Sequence, residues 1–227
     1  NPRALLIVNL TTIAQQLSGA LVVVFYQEHI YKAFKVPIRS DVAVIMTSFI
    51  GNAAGVLSIL FVDRWGRRPL LLVSSMGCAV STGLLGTYLF LDEKNVLGTI
   101  EYVNWIPIVG LNALQVFFSF GLSPIPSTQL GELFSSNVKE IGFCFITIMA
   151  AVEGFVMTKS YQIVKDSLGL PIVFWSFSAM TVTCFIFMLW KVPETKGKSF
   201  LEIQNMLMAP EDTSLNDDIK LQEIKRY

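Results

Sequence analysis

Residues 170–190 read LPIVFWSFSAMTVTCFIFMLW, a stretch without a charged side chain. It is long enough to cross a hydrocarbon layer about 30 Å thick, because a spanning helix needs about 20 apolar residues. Five mainly apolar stretches of similar length precede it, at residues 4–26, 42–62, 70–91, 105–130 and 141–164. Within lipid only helices and closed barrels pair all their backbone polar groups, and these stretches lack the alternation of barrel strands. The sequence therefore predicts an all-α, polytopic membrane protein with six spanning helices.

Composition agrees with this class and narrows the possible functions. The chain is 53% hydrophobic and 15% charged, whereas soluble domains carry about 25% charged residues. Its 17 basic and 17 acidic residues balance, which gives no reason to expect a nucleic-acid partner. The cysteines, Cys78, Cys144 and Cys184, fall inside the predicted spans and are interpreted as small apolar residues. We expect no metal, no cofactor and no enzymatic chemistry.

Basic residues are distributed unequally between the two ends of the spans. The termini and the connections around residues 63–69 and 131–140 carry most of the Lys and Arg residues. Cytoplasmic connections are enriched in these residues, so we expect both termini to be cytoplasmic. Residues 1–191 then form the six spans, and residues 192–227 form a cytoplasmic tail. The chain lacks an initiator Met, which we interpret as processing or as a piece of a longer chain.

Polar side chains within the spans are candidate functional residues. Gln15 and Gln16 lie in the middle of the first span, where their amides suit a hydroxyl-rich solute or hydrogen bonds between helices. Glu153 lies in the middle of the fifth span, where an unpaired carboxylate is costly. It is interpreted either as a proton-coupling group or as a structural partner, for example of Lys159.

Local signals predict where the helices bend, end and interact. Pro124 and Pro126 each remove a backbone hydrogen bond and bend the fourth span, and residues 27–41 are expected to form a loop. The segment Asp-Arg-Trp-Gly-Arg-Arg-Pro (63–69) places three arginines at a cytoplasmic turn. Arginines pair bidentately with carboxylates, and such pairs can lock one conformation and break in another. The alternative is solvated charge that only sets topology.

Four motifs extend these observations. They are QQLSG at 15–19 followed by Phe25-Tyr26, DRWGRRPLL at 63–71, PIP at 124–126 with GELF at 131–134 and NVK at 137–139, and PETKGKSFLEI at 193–203. With them the chain resembles the C-terminal half of the sugar porter family of the major facilitator superfamily. Within it, the insect facilitated trehalose transporter-like proteins are the most similar group.

The resemblance implies a twelve-helix carrier with substrate bound between two six-helix halves. The six spans correspond to helices seven to twelve, and an N-terminal six-helix half, from the same longer chain or by self-association, is the implied partner within the lipid bilayer. The implied function is facilitative movement of trehalose or a hexose by alternating access, in the plasma membrane.

The resemblance also implies roles for individual residues. Gln15 and Gln16 match sugar-binding glutamines, and Tyr26 is expected to help close the outer side. A conformational charge network is implied for the cytoplasmic side. Its members are Asp63, Arg64, Gly66, Arg67, Arg68, Glu132, Lys139 and Glu194.

Five positions depart from the family pattern, and the departures remove hydrogen-bonding or aromatic groups from the expected pocket. They are Leu21, Ser119, Ser127, Ala150 and Ala151. We expect weaker or altered sugar binding, since a lost hydrogen bond at a buried polar site costs about 1–3 kcal/mol. Two alternatives therefore stay open: a non-transporting sugar sensor or inert truncated paralogue, and proton-coupled sugar uptake through Glu153.

Overall fold

The computed structural model describes residues 2–34, 36–94, 104–133 and 136–191. Eight α-helices occupy these ranges: α1 (Pro2–Leu17), α2 (Ala20–Ala33), α3 (Ser40–Trp65), α4 (Arg67–Glu93), α5 (Ile106–Phe117), α6 (Ile125–Leu133), α7 (Ser136–Leu168) and α8 (Leu170–Lys191). A π-helical segment, Phe118–Leu122, continues α5. Six helical stretches are long and apolar enough to cross a membrane, and the described ranges contain no strand. The predicted all-α fold with six spans is confirmed.

The first span differs from the prediction. Instead of one helix over residues 4–26, the helix breaks after α1 and resumes as α2, which ends at Ala33. The break lies at Ser18 and Gly19, and Gly19 adopts a left-handed φ of 71° that favours glycine. The expected loop over 27–41 is therefore helical in its first part. Gln27 and Tyr31 are buried there, although the polar residues around them suggest a loop.

The fourth span is also interrupted, and the interruption depends on α4. The π-helical turn widens the helix, and Ser74 of α4 inserts its hydroxyl there. Its Oγ donates to the Phe117 carbonyl at 2.5 Å and accepts from the Leu122 backbone N–H at 3.0 Å. A turn at Ser123 and Pro124 then leads into α6. The bend expected from Pro124 and Pro126 therefore begins about one helical turn before these residues.

Helix α4 forms the centre of the bundle, between α5 and α8. Small residues allow α8 to approach it closely, since a Cβ on Gly86 would meet the Trp175 ring. Ser178 of α8 donates to the Ala79 carbonyl at 2.8 Å. Helices α3 and α7, in contrast, expose large apolar side chains, as expected for helices in lipid. Examples are Phe49, Ile59, Leu60, Ile141, Ile148 and Ile163.

We predict that Ser74→Ala lowers the free energy of unfolding by about 1–3 kcal/mol, because a buried N–H and a carbonyl lose their shared partner. The measurement is thermal unfolding of the purified protein in detergent micelles. Ser75→Ala is the matched control, since this equally buried neighbour donates only to the Leu72 carbonyl of its own helix. Equal midpoints for the two variants would contradict the bridging role of Ser74.

Candidate functional site

A cleft of about 640 Å³ lies where the broken first span meets α7. The end of α1 forms one side, the first two turns of α2 form a second, and the middle of α7 forms a third. Its lining residues are Gln16, Leu21, Val22, Phe25, Tyr26, Ala150, Ala151, Gly154, Phe155 and Thr158. The volume lies in the range of small-molecule sites, so the cleft is the candidate functional site.

Gln16 is the polar side chain that joins α1 to α7 at the cleft. Its Nε2 donates to the Ala150 carbonyl at 3.3 Å, which fixes the orientation of the amide. The amide also lies against Gly154, where a Cβ would be in ordinary contact, 3.5 Å from Gln16 Oε1. Within the described part of the chain, Oε1 accepts no hydrogen bond. It is therefore available to a hydroxyl donor in the cleft.

The helix break holds the cleft open between α1 and α2. Ser18 Oγ donates to the Gln15 carbonyl at 2.6 Å and accepts from the Ala20 N–H at 3.4 Å, so the local hydroxyl satisfies backbone groups that a continuous helix would pair. Gly19 packs beneath Phe177 of α8, whose ring fills the space of a Cβ. The break is thus fixed both by conformation and by packing.

Tyr26 marks the far end of the cleft. Its backbone leaves the helical region, with φ −107° and ψ 15°, and kinks α2. The ring stacks on Tyr161 of α7, with centroids 4.8 Å apart and planes 30° apart. An offset aromatic stack of this kind contributes about 0.5–1.5 kcal/mol. The stacked pair holds α2 against α7 at this end of the cleft.

The structure brings only part of the predicted site together. Gln16, Tyr26 and the altered positions Leu21, Ala150 and Ala151 line the cleft. Gln15 is half-buried and lies outside its lining. The other two altered positions lie elsewhere: Ser119 is buried in the π-helical segment near Gly55, and Ser127 is exposed on α6.

Three lining residues of α7 were not identified from the sequence: Gly154, Phe155 and Thr158. Thr158 Oγ1 donates to the Gly154 carbonyl at 2.7 Å. One sequence feature indicates this face of α7: small residues recur at positions 150, 154 and 158. Residues four apart lie on the same face of a helix, and small residues there allow close packing.

Glu153 lies beside the cleft, on the neighbouring face of α7. It lines a second, smaller cavity of about 200 Å³, which Gln16 also borders. Glu153 Oε2 is buried and accepts no hydrogen bond from a described residue. Lys159, the structural partner considered from the sequence, is exposed, and no ion pair joins these two described residues.

The predicted charge network falls largely outside the described residues. This applies to the side chains of Asp63, Arg64, Glu132 and Lys139 and to all of Glu194. Of the remaining members, Gly66 separates α3 from α4 with φ 93°, and Arg67 is half-buried. Arg68 Nη2 donates to the Leu189 carbonyl at 2.6 Å, which ties the start of α4 to the end of α8.

Comparison with known proteins covers most of the chain. The family model described as "Sugar (and other) transporter" matches residues 1–207. The facilitated trehalose transporter Tret1 of Apis mellifera ligustica is 29% identical over 196 residues, which cover 86% of this chain and 38% of the relative. Tret1 of Drosophila willistoni is 30% identical over 195 residues, covering 86% of this chain and 22% of the relative.

Solved structures agree on the fold. The proton:xylose symporter XylE, bound to 6-bromo-6-deoxy-D-glucose, superimposes with a TM-score of 0.74 at 22% identity, over 89% of this chain and 42% of that one. XylE of E. coli in an inward-open conformation gives a TM-score of 0.75 at 21% identity, over 91% and 42%. This chain therefore spans less than half the length of these relatives.

We predict that Gly19→Ala lowers the free energy of unfolding by at least about 1–2 kcal/mol, the cost of a left-handed conformation for a residue with a Cβ. The displaced Phe177 ring adds to this loss. Thermal unfolding in detergent measures it. Gly55→Ala is the control, because this helical glycine would place its Cβ in ordinary contact, 4.0 Å from Ser119. A Gly19→Ala variant as stable as this control would refute the packed break.

Proposed function

This chain belongs to the sugar (and other) transporter family, and we propose that it forms one half of a carrier that moves a sugar across a membrane by alternating access. The observation that carries the proposal is the Gln16 amide, which lines the cleft beside a helix break and has its Oε1 next to Gly154 of the cleft lining. A sugar hydroxyl can donate to this oxygen, while the Tyr26 and Thr158 hydroxyls offer further contacts.

Trehalose or a hexose is the proposed substrate, and facilitative movement is the proposed mode. The names of the matched insect relatives support trehalose. The cleft forms one side of a binding site. Among the described residues, none forms the opposite side. We propose that an N-terminal six-helix half, supplied by the same longer chain or by self-association, provides that wall.

Two features support a moving carrier: the helix break at Gly19, and the hydrogen bond that joins the start of α4 to the end of α8. Gly19 separates the first span into two helices, α1 and α2, and Arg68 joins α4 to α8. We propose that this arginine belongs to a cytoplasmic charge network that closes one side of the carrier and releases it in the other state. In this arrangement the protein lies in the plasma membrane with both termini cytoplasmic.

Replacing Gln16 tests the binding role. Sugar uptake is measured on the protein in its native membrane. Gln16→Leu should raise the apparent KM for the sugar about tenfold or more. A lost hydrogen bond at a buried polar site costs about 1–3 kcal/mol, and 1.4 kcal/mol is a factor of ten. Gln15→Leu, on the same turn but outside the cleft lining, should change the KM less.

Equal KM values in wild type and Gln16→Leu would contradict the proposed contact. Sugar binding without uptake by the wild-type protein would instead identify a non-transporting sensor. Neither binding nor uptake would identify an inert paralogue.

Glu153 supports a second candidate function, proton-coupled sugar uptake. Its Oε2 is buried without a partner among the described residues, and it shares Gln16 with the main cleft. Among the residues that the structure describes, no other charged side chain lines its cavity. Carboxylates inside spanning segments commonly serve in proton relays, and a carboxyl group that meets water in only one of two carrier states can take up a proton in one state and release it in the other.

In this second case, Glu153→Gln should abolish sugar-driven pH change while sugar exchange across the membrane persists, because Gln keeps the shape but cannot ionise. A pH-sensitive dye enclosed in vesicles measures the proton movement. Glu140→Gln is the matched control on the same helix, at an exposed position. Sugar uptake without any pH change in the wild-type protein would exclude the coupled mode and retain the facilitative one.

A further inference from the structure

The wall of the cleft carries little hydrogen-bonding capacity for a sugar. Its three polar side chains are Gln16, Tyr26 and Thr158. Gln16 Nε2 already donates to the Ala150 carbonyl, and Thr158 Oγ1 already donates to the Gly154 carbonyl. The donors that a hydroxyl-rich solute would use are thus partly engaged within the protein.

The rest of the wall is apolar and is arranged in two stripes. Leu21 and Phe25 are four residues apart on α2, and Ala151 and Phe155 are four residues apart on α7, so each pair lies on one helix face. All four line the cleft, and Phe25 and Phe155 are exposed. The two stripes border the same space that Gln16 enters from α1.

This arrangement has a direct consequence for selectivity. The hydroxyls on the side of a sugar ring that lies against these stripes lose hydrogen bonds to water without replacement, which is unfavourable. A solute with one polar and one apolar side keeps its hydroxyls near Gln16 and buries its apolar side, which is favourable in proportion to the area removed from water.

We propose that this wall selects a sugar bearing an apolar substituent, such as an aryl or alkyl glycoside, over the same sugar without one. The proposal rests on the proposed function, since it assumes that the cleft holds the carried solute. It adds a substrate class and assigns the selectivity to Leu21, Phe25, Ala151 and Phe155.

Two glucosides that differ only in the aglycone test it: phenyl β-D-glucopyranoside and methyl β-D-glucopyranoside. Equilibrium binding of each compound is measured on native membranes that contain the protein. Uptake of labelled glucose and of labelled trehalose is measured in parallel. We expect the phenyl glucoside to bind about tenfold more tightly, which corresponds to about 1.4 kcal/mol.

Two variants of α2 assign the effect to the wall. Leu21→Asn replaces an apolar lining residue with an amide and should reduce the preference to less than about threefold. Val24→Asn makes a similar change three residues further on, at an exposed position outside the lining, and should keep the tenfold preference. A preference that survives Leu21→Asn would overturn the assignment to this wall.

The outcomes separate this proposal from the proposed function. Sugar uptake with equal binding of the two glucosides would overturn the selectivity and leave sugar transport standing. Preferential phenyl glucoside binding without uptake would overturn transport and support the selectivity of the cleft. Absence of both binding and uptake would overturn both.

Discussion

The left-handed backbone at Gly19, packed beneath the Phe177 ring, is the constraint on which the site depends. A continuous helix through residues 15–26 would place Gln16, Leu21 and Tyr26 on different sides of one cylinder, about 140° from one to the next, because they are five residues apart and each residue turns the helix by about 100°. The break instead lets Gln16 reach the Ala150 carbonyl from α1, while α2 departs in a new direction and stacks Tyr26 on Tyr161. The cleft is the space between these two contacts.

The fold was predictable because hydrophobic length is a local property of the sequence. Residues 170–190 form a helix with almost the predicted bounds, and the family match over residues 1–207 confirms the family resemblance inferred from the four motifs. The continuation of α2 to Ala33 was missed because Gln27, Glu28 and His29 suggest a loop. In the structure Gln27 is buried while its two neighbours are exposed, a helical pattern obscured by their shared polarity.

The site was predictable only in part, because it is assembled from three helices. Gln16, Leu21, Ala150 and Ala151 were identified through motif positions, and the structure places all four on the cleft. The contribution of Thr158 is signalled only by the recurrence of small residues at positions 150, 154 and 158, and this spacing marks one face of α7 without saying which helix packs against it. The position of Gln15 outside the lining likewise follows from helix rotation, which a motif does not specify.

The π-helical segment has a consequence at the other end of the fourth span. One extra residue in a helix rotates everything beyond it by about 100°, so Phe118–Leu122, together with the turn at Ser123 and Pro124, sets the direction in which α6 presents its side chains. In this direction Gln129 is buried and its Oε1 accepts a hydrogen bond from Thr11 of α1 at 3.0 Å. The hydroxyl of Ser74 thereby acts on a contact beyond the segment it touches: it stabilises the π-helical turn, and the residues that follow this turn carry Gln129 to its partner on α1.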